Sequence, residues 1–433
     1  MNKFLTAILL FIAINCNAQK KTTLSDSTFK KLDNYFKAHF ENGDFSGVVL
    51  IANNDVELYE KTIGFRSFED GQRLKSNNQF MVGSISKSIC AAAIVKLVQD
   101  GKLNFDDDVN NYASIFSDKK VTIKQLLRHT SGVPRFDKIS PGTKLVDQIN
   151  SLKGKEFLFE PGTDDAYSNE GYSILAYLVE VITQQPYNEF IENTFFDKLK
   201  MEYSGVYPYD IPKKVALGHR VTPSGPMEVS ENVYHSLIGS GSNYSTAQDL
   251  LKWAKSISSN EVINLDSLEY PYGWGVQENF GNKIISQSGL VNGFTSYVSI
   301  YPEQNLYVIF VSNISSGFFN IAPKDISAIL LDKDYAEPEK LDDKSLSVNE
   351  MEAYVGNYET LSKYPFGIYL IENGLYIKWN HEGDGILLTP TEKDVFVNRS
   401  DFTKNEFYRN EDNEISGFKI SIKDQVVECK KLE

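Results

Sequence analysis

The sequence is poor in the residues from which metal, disulfide and nucleic-acid sites are made. It has 3 cysteines and 5 histidines in 433 residues. Cys16 falls in a leader described below, Cys90 in an alanine-rich helix and Cys429 near the chain end, so no disulfide is expected. The histidines do not stand at metal-ligand spacing, and Asp106-Asp107-Asp108 lacks the glycine and terminal glutamate of a calcium loop. Neither a metal nor a cofactor is therefore expected. Lysine and arginine are scattered through a chain of net charge −14, which argues against nucleic acid as a partner. Beyond the first residues, no run is long and apolar enough to cross a bilayer.

The leader is Met1-Asn2-Lys3 followed by the apolar run from Phe4 to Ile14, with small residues around Cys16-Asn17-Ala18. It reads as a signal peptide over 1–18, cleaved after Ala18, which places the protein in the periplasm or outside the cell. Loss of Lys3 would take the net charge from −14 to −15. Lipid anchoring through Cys16 is the rival reading. Asn15 is larger than the residue that usually precedes a lipidated cysteine.

With 41% hydrophobic residues the mature chain can build full cores, and its patterning divides it in two. Residues 19–335 begin with a helix from Leu24 to Phe40 and strands at Gly47–Ile51 and Val56–Gly64, turned at Asn53-Asn54. A helical middle follows, and strands resume at Gly273–Val276, Lys283–Gln287, Gly293–Tyr301 and Leu306–Ser312. This predicts one mixed α/β (α+β) domain whose antiparallel sheet unites its two ends around a helical insert. Residues 336–349 read as a charged linker. From 350 to 433, eight short alternating runs starting with Met351–Tyr358 predict a small all-β barrel or sandwich. His381 in that part is assigned to packing or surface.

Ser84 and Lys87 open the run from Ser84 to Val95, rich in alanine and aliphatic residues and stopped at Gly101. Residues three apart on a helix share a face, so the lysine amine can take the serine proton. The spacing alone is weak, recurring at Ser27/Lys30, Ser117/Lys120 and Ser416/Lys419. Only Ser84/Lys87 precedes a helix that must be buried, where lost hydration lowers a lysine pKa. The helix N-terminus also favours an oxyanion near Ser84. Further on, Tyr167-Ser168-Asn169 precedes an apolar helix ending at Ile182. A nearby ammonium would lower the pKa of Tyr167 and make it a general base or acid toward Ser84.

Ser84-x-x-Lys87, Tyr167-x-Asn169 and Gln287-Ser288-Gly289, in that order, resemble the three motifs of the serine β-lactamase and penicillin-binding-protein superfamily. The tyrosine is most similar to class C β-lactamases and their relatives, family VIII esterases and D-stereospecific peptidases. Leu126 to Gly132, Phe159-x-Pro161-Gly162, Gly239-Ser240-Gly241, Tyr244 to Leu250 and Tyr272-Gly273-Trp274-Gly275 fit the same branch. The resemblance implies that Ser84 is acylated, Lys87 helps to deprotonate it and Tyr167 passes the proton to the leaving group. It further implies that Asn169 holds the acyl chain or Lys87, and that the backbone N–H groups of Ser84 and Leu290 form the oxyanion hole. His129 would brace the cleft wall, Gln287, Ser288 and Gly289 would line the substrate, and the second domain would be lipocalin-like.

Gln287 departs from the pattern, which usually has lysine or histidine there. A cation suits a substrate carboxylate, and charge-assisted hydrogen bonds are about twice as strong as neutral ones. Its absence favours an ester, amide or peptide bond in a small-molecule or peptide substrate over a β-lactam or a D,D-carboxypeptidase substrate. A catalytically weak binding protein that keeps the fold is the third reading.

Overall fold

The computed structural model describes residues 23–432, except 117, 138, 141, 210–213, 230–236, 265–270, 342–345, 361–364, 379–384 and 423–424. The leader, Ser117 and His381 lie outside the described residues. Short strands not labelled below are identified by their residues.

Helix α1, Asp26–Glu41, starts where the Ser25 side chain accepts the Thr28 N–H. Its buried residues Leu32, Tyr35, Phe36 and His39 recur at helical spacing, so one stripe faces the sheet. That sheet runs in the order β3-β4-β5-β6-β1-β2, with every neighbour antiparallel. Its strands are β1 (Gly47–Ala52), β2 (Glu57–Ile63), β3 (Gly275–Asn279), β4 (Asn282–Val291), β5 (Phe294–Tyr301) and β6 (Leu306–Ser312). Gly47 pairs with Ser312, so the first and last strands of this sheet in chain order are neighbours, as the sequence predicts. β4 is longer than expected. Its register reaches from Ile285 opposite Ile300 to Val291 opposite Phe294, and carries the third motif on a paired strand.

All six residues of β1 are buried, because both faces of this central strand are covered. Val49 and Ile51 join the core under α1 and α5 (Phe318–Leu330). Val48 and Leu50 join the larger core on the other face, with α2 (Ser86–Gln99), α3 (Asn169–Thr183) and α4 (Ala247–Ser258). Each fully buried Val, Leu, Ile or Phe of these cores contributes about 1.5–3 kcal/mol. α2 is buried continuously from Ser86 to Val95, which is why its sequence is apolar almost all round.

The second domain is a closed eight-stranded barrel. Its strands are β7 (Gly356–Thr360), β8 (Pro365–Ile371), β9 (Gly374–Lys378), β10 (Ile386–Glu392), β11 (Val395–Asn398), β12 (Lys404–Arg409), β13 (Ile415–Ile422) and β14 (Gln425–Lys431). β7 closes on β14, with Tyr358 opposite Lys431. Tyr358, Phe366, Phe396, Phe407 and Phe418 fill the interior, with Phe407 and Phe418 rings 4.7 Å apart. One boundary differs from expectation. Met351 lies in a short helix, Val348–Glu352, because Ser347 and Glu350 form a reciprocal capping box, and the strand starts only at Gly356.

The two domains are joined by more than the connecting chain. The expected linker is held along α1, where Asn42 donates to Glu339 O at 2.9 Å and accepts from the Leu341 N–H at 3.0 Å. Arg399 of the barrel pairs with Asp44, both buried, and donates to Asn42 O at 2.6 Å. Gly317 donates to Arg399 O at 2.9 Å and lies so close to the barrel that a Cβ there would sit 2.2 Å from Ser400. Only glycine fits at that contact. Among the described residues no helix is long and apolar enough to cross a membrane.

Candidate active site

Ser84 lies in a single 3-10 turn, Gly83–Ile85, which leads into α2 and sets Lys87 in the helix's first turn. The Lys87 side chain is 1% exposed. Its Nζ is 3.1 Å from Ser84 Oγ, 2.8 Å from Asn169 Oδ1 and 2.8 Å from Ser240 O. Asn169 starts α3, where the Ser168 side chain caps the helix by accepting the Gly171 N–H at 2.9 Å. Tyr167, just before that cap, places its hydroxyl 2.5 Å from Ser84 Oγ and its ring centroid 4.7 Å from Lys87 Nζ. The four residues expected to act together therefore meet at one point.

Burial pulls the Lys87 pKa down to about 7, against weaker opposing effects of Cys90 and Glu170. The hydrogen bonds fix what the neutral amine does. Asn169 Oδ1 and Ser240 O can only accept, so a neutral amine spends its two N–H groups on them. Its lone pair is then directed at Ser84 Oγ, ready for the serine proton.

Tyr167 departs from expectation. Its pKa is raised, not lowered, because desolvation outweighs the hydrogen bond from Ser84. Phenolate is thus disfavoured, although the side chain is 51% exposed at the cleft. The ring stacks on His129 at 4.7 Å, and His129 Nδ1 accepts the Ser168 N–H at 3.0 Å. Burial, then the positive charges of Lys87 and Arg135, lowers the His129 pKa to about 4, so the imidazole is neutral and suited to that acceptor role. This is the bracing position expected of it.

The third motif packs behind the nucleophile. Gly289 passes so close to the strand before Ser84 that a Cβ would fall 2.0 Å from Val82 O, which explains the glycine. Gln287 Nε2 donates to Ser84 O at 2.9 Å, bracing the turn that carries the serine. Ser288 is partly buried and lies opposite Tyr297. Leu290, 50% exposed, forms the rim of a 400 Å³ cleft whose floor is Ser84, Tyr167 and Asn169. Gln287, Ser288 and Gly289 are not among the described residues lining it, and none of those side chains is charged.

Sequence reasoning missed Ser240 O as a partner of Lys87, since a backbone carbonyl has no residue signature; the Gly239-Ser240-Gly241 run was its only trace. Asn292 and Ser315, also at the cleft, gave no signal because Asn292 lies in a turn and Ser315 in a two-residue strand, Ile314–Ser315, too short to show alternation. Among the described residues one potential metal group occurs away from the cleft. Glu69, His219 and Glu228 bring ligand atoms within 4.8 Å of one another. His219 is already engaged with Asn313 O at 3.1 Å and Glu69 at 3.2 Å, which accounts for its placement without an ion.

A family model described as Beta-lactamase matches residues 32–329. Penicillin-binding protein 4* of Bacillus subtilis (strain 168) is 26% identical over 400 residues, which cover 83% of this chain and 87% of that protein. The octameric penicillin-binding protein homologue from Pyrococcus abyssi is similar in structure, with TM-score 0.63 and 22% identity over 92% of this chain and 99% of that one. The D-amino acid amidase from Ochrobactrum anthropi SV3 gives a TM-score of 0.62 at 17% identity, covering 70% of this chain and 98% of that one. The structural likenesses show the fold, and the first of them extends into the barrel. Because the family match runs from within α1 to within α5, more than half of the chain, with Ser84, Lys87 and Tyr167 inside it, the chain belongs to the beta-lactamase family.

Proposed function

We propose that the protein is an exported serine hydrolase that forms an acyl-enzyme on Ser84 and cleaves an ester, amide or peptide bond. The observation that carries this reading is the buried Lys87 amine, 3.1 Å from Ser84 Oγ, with a pKa near 7 and its N–H groups committed elsewhere. Ser84 Oγ attacks the substrate carbonyl carbon as its proton passes to Lys87 Nζ. The carbonyl oxygen becomes an oxyanion facing the Ser84 and Leu290 N–H groups. Collapse breaks the bond to the leaving group, which takes a proton from Tyr167 Oη. Tyr167 recovers one from the Lys87 ammonium that received the serine proton, whose Nζ lies 4.7 Å from the Tyr167 ring centroid. Water then repeats the sequence and releases the acid.

The uncharged cleft supports a neutral acyl donor rather than one bearing a carboxylate beside the scissile bond. Gln287, where a cation would serve a carboxylate, is turned to the Ser84 carbonyl. The leader pattern of residues 1–18 and the similarity to a penicillin-binding protein support export. Two probes test the reading. A fluorophosphonate is expected to add to Ser84 in the wild type and not in Ser84→Ala, and a fluorescent penicillin is expected to label weakly. Labelling by neither probe would leave the fold as a binding protein, while rapid penicillin labelling and turnover would point to a β-lactamase.

A further inference from the structure

The cleft does not end at the α/β domain. Leu290, Asn292 and Ser315 line both the 400 Å³ cleft over Ser84 and a second cavity of 300 Å³, whose far wall is barrel: Tyr376, Ile386 and Leu387. Phe319 and Arg220 complete it from the α/β side. The volumes suit small-molecule sites, and the barrel face is held rigidly beside the cleft. Arg220 is tied to Glu372 of the barrel at 2.8 Å, Asn320 donates to Ser400 O at 2.7 Å, and Gly317 abuts Ser400.

Which part of a substrate enters is set by the chemistry at Ser84. The leaving group must lie within reach of Tyr167 Oη to receive its proton, and the carbonyl oxygen must face Ser84 and Leu290. The remaining substituent, the acyl side, is directed past Leu290 toward Asn292 and Ser315. The walls it meets combine apolar surface (Leu290, Phe319, Ile386, Leu387) with amide and hydroxyl groups (Asn292, Ser315) and two guanidiniums whose charge is already paired, Arg220 with Glu372 and Arg399 with Asp44. A peptide backbone with apolar side chains has that same mixture of apolar and polar groups, whereas a plain alkyl chain would leave the polar groups of the wall unpaired.

Resting on the serine-hydrolase reading, we propose that the barrel forms part of the substrate site. Tyr376, Ile386 and Leu387 would hold a peptidyl acyl group that extends from Ser84 across the domain junction, so that the enzyme cleaves after a short apolar peptide rather than after a small acyl group.

The test compares kcat/KM for an acetyl ester, an octanoyl ester and an N-acetylated apolar tripeptide ester with the same leaving group. The wild type is expected to favour the peptidyl ester over the acetyl ester by about tenfold or more, in line with the worth of a few well-placed contacts. In Ile386→Arg, at a half-buried rim position, and in Tyr376→Ala, that ratio is expected to fall at least about tenfold. Thermal unfolding followed alongside separates a lost contact from a loosened barrel, since Ile386→Arg leaves the barrel interior untouched. A ratio that stays within about twofold in both variants overturns the proposal, as does an octanoyl ester preferred over the peptidyl one. Fluorophosphonate labelling of Ser84 in the same samples keeps the two claims apart: no labelling defeats the hydrolase reading, whereas labelling with an unchanged ratio defeats only the barrel subsite.

Discussion

The two domains bury their interiors by different means. At the centre of the α/β domain, helix α2 carries a lysine amine that is 1% exposed and surrounded by three oxygen partners. The barrel interior is made of stacked and edge-on rings, Tyr358, Phe366, Phe396, Phe407 and Phe418. A buried amine costs stability and gains a shifted pKa, while packed rings gain stability and carry no charge. The buried amine beside Ser84 lies in the first of these interiors, and the described core of the second holds no such group. At their junction lies one buried ion pair, Asp44 with Arg399.

That contrast can be broken in several places. The largest effect is expected from Ser84→Ala, with hydrolysis falling by on the order of 10⁴-fold or more at unchanged thermal stability. Lys87→Met is expected to lower kcat by about 10²–10⁴-fold, since it removes the proton acceptor. The native Lys87 also sets a pH trend in stability. Its folded pKa of about 7 lies below the ordinary lysine value, so between the two the unfolded chain binds the extra proton and stability rises with pH. Thermal unfolding across that range is expected to flatten in Lys87→Met.

Next in size are changes to packing. Arg399→Leu strands Asp44 in a buried site and is expected to cost about 3–5 kcal/mol, read as a lower denaturation midpoint. Phe407→Ala, at a position 6% exposed, is expected to cost about 3–5 kcal/mol in the barrel, with Ser84 still labelled by a fluorophosphonate at moderate temperature. Loss of Ser84 labelling in Phe407→Ala would show that the two interiors are not separable. The smallest effect is expected from Gln287→Ala, which removes one neutral hydrogen bond to Ser84 O and is expected to slow acylation by a few-fold, about 0.5–1.5 kcal/mol.

Much of this architecture was legible in the residues. The alternation of Leu306–Ser312 located β6 to the residue. The apolar, alanine-rich run after Ser84 set this Ser-x-x-Lys spacing apart from its repeats, two of which are now seen with exposed lysines, Lys30 and Lys419. Polarity of the groups was harder to read. The sequence suggested an acidic Tyr167, because it shows that a lysine is near but not the partial desolvation of a phenol set in the cleft, which raises its pKa. Gln287 was expected to face substrate, yet its amide finds a backbone carbonyl that no side-chain pattern reveals. The strand expected from Met351 begins later because the Ser347/Glu350 capping box forms a helix there, a local signal that alternation masked.

The central claim, that neutral Lys87 activates Ser84, is tested most directly by the pH dependence of fluorophosphonate inactivation, which needs no knowledge of the substrate. Between about pH 5 and about pH 9 the rate is expected to rise through a single ionisation near pH 7 and then level, with that step absent in Lys87→Met. His129, at about 4, and Tyr167, raised above its ordinary value, do not titrate near 7. A rate that is flat across this range, or a step near 7 that survives in Lys87→Met, would contradict the account.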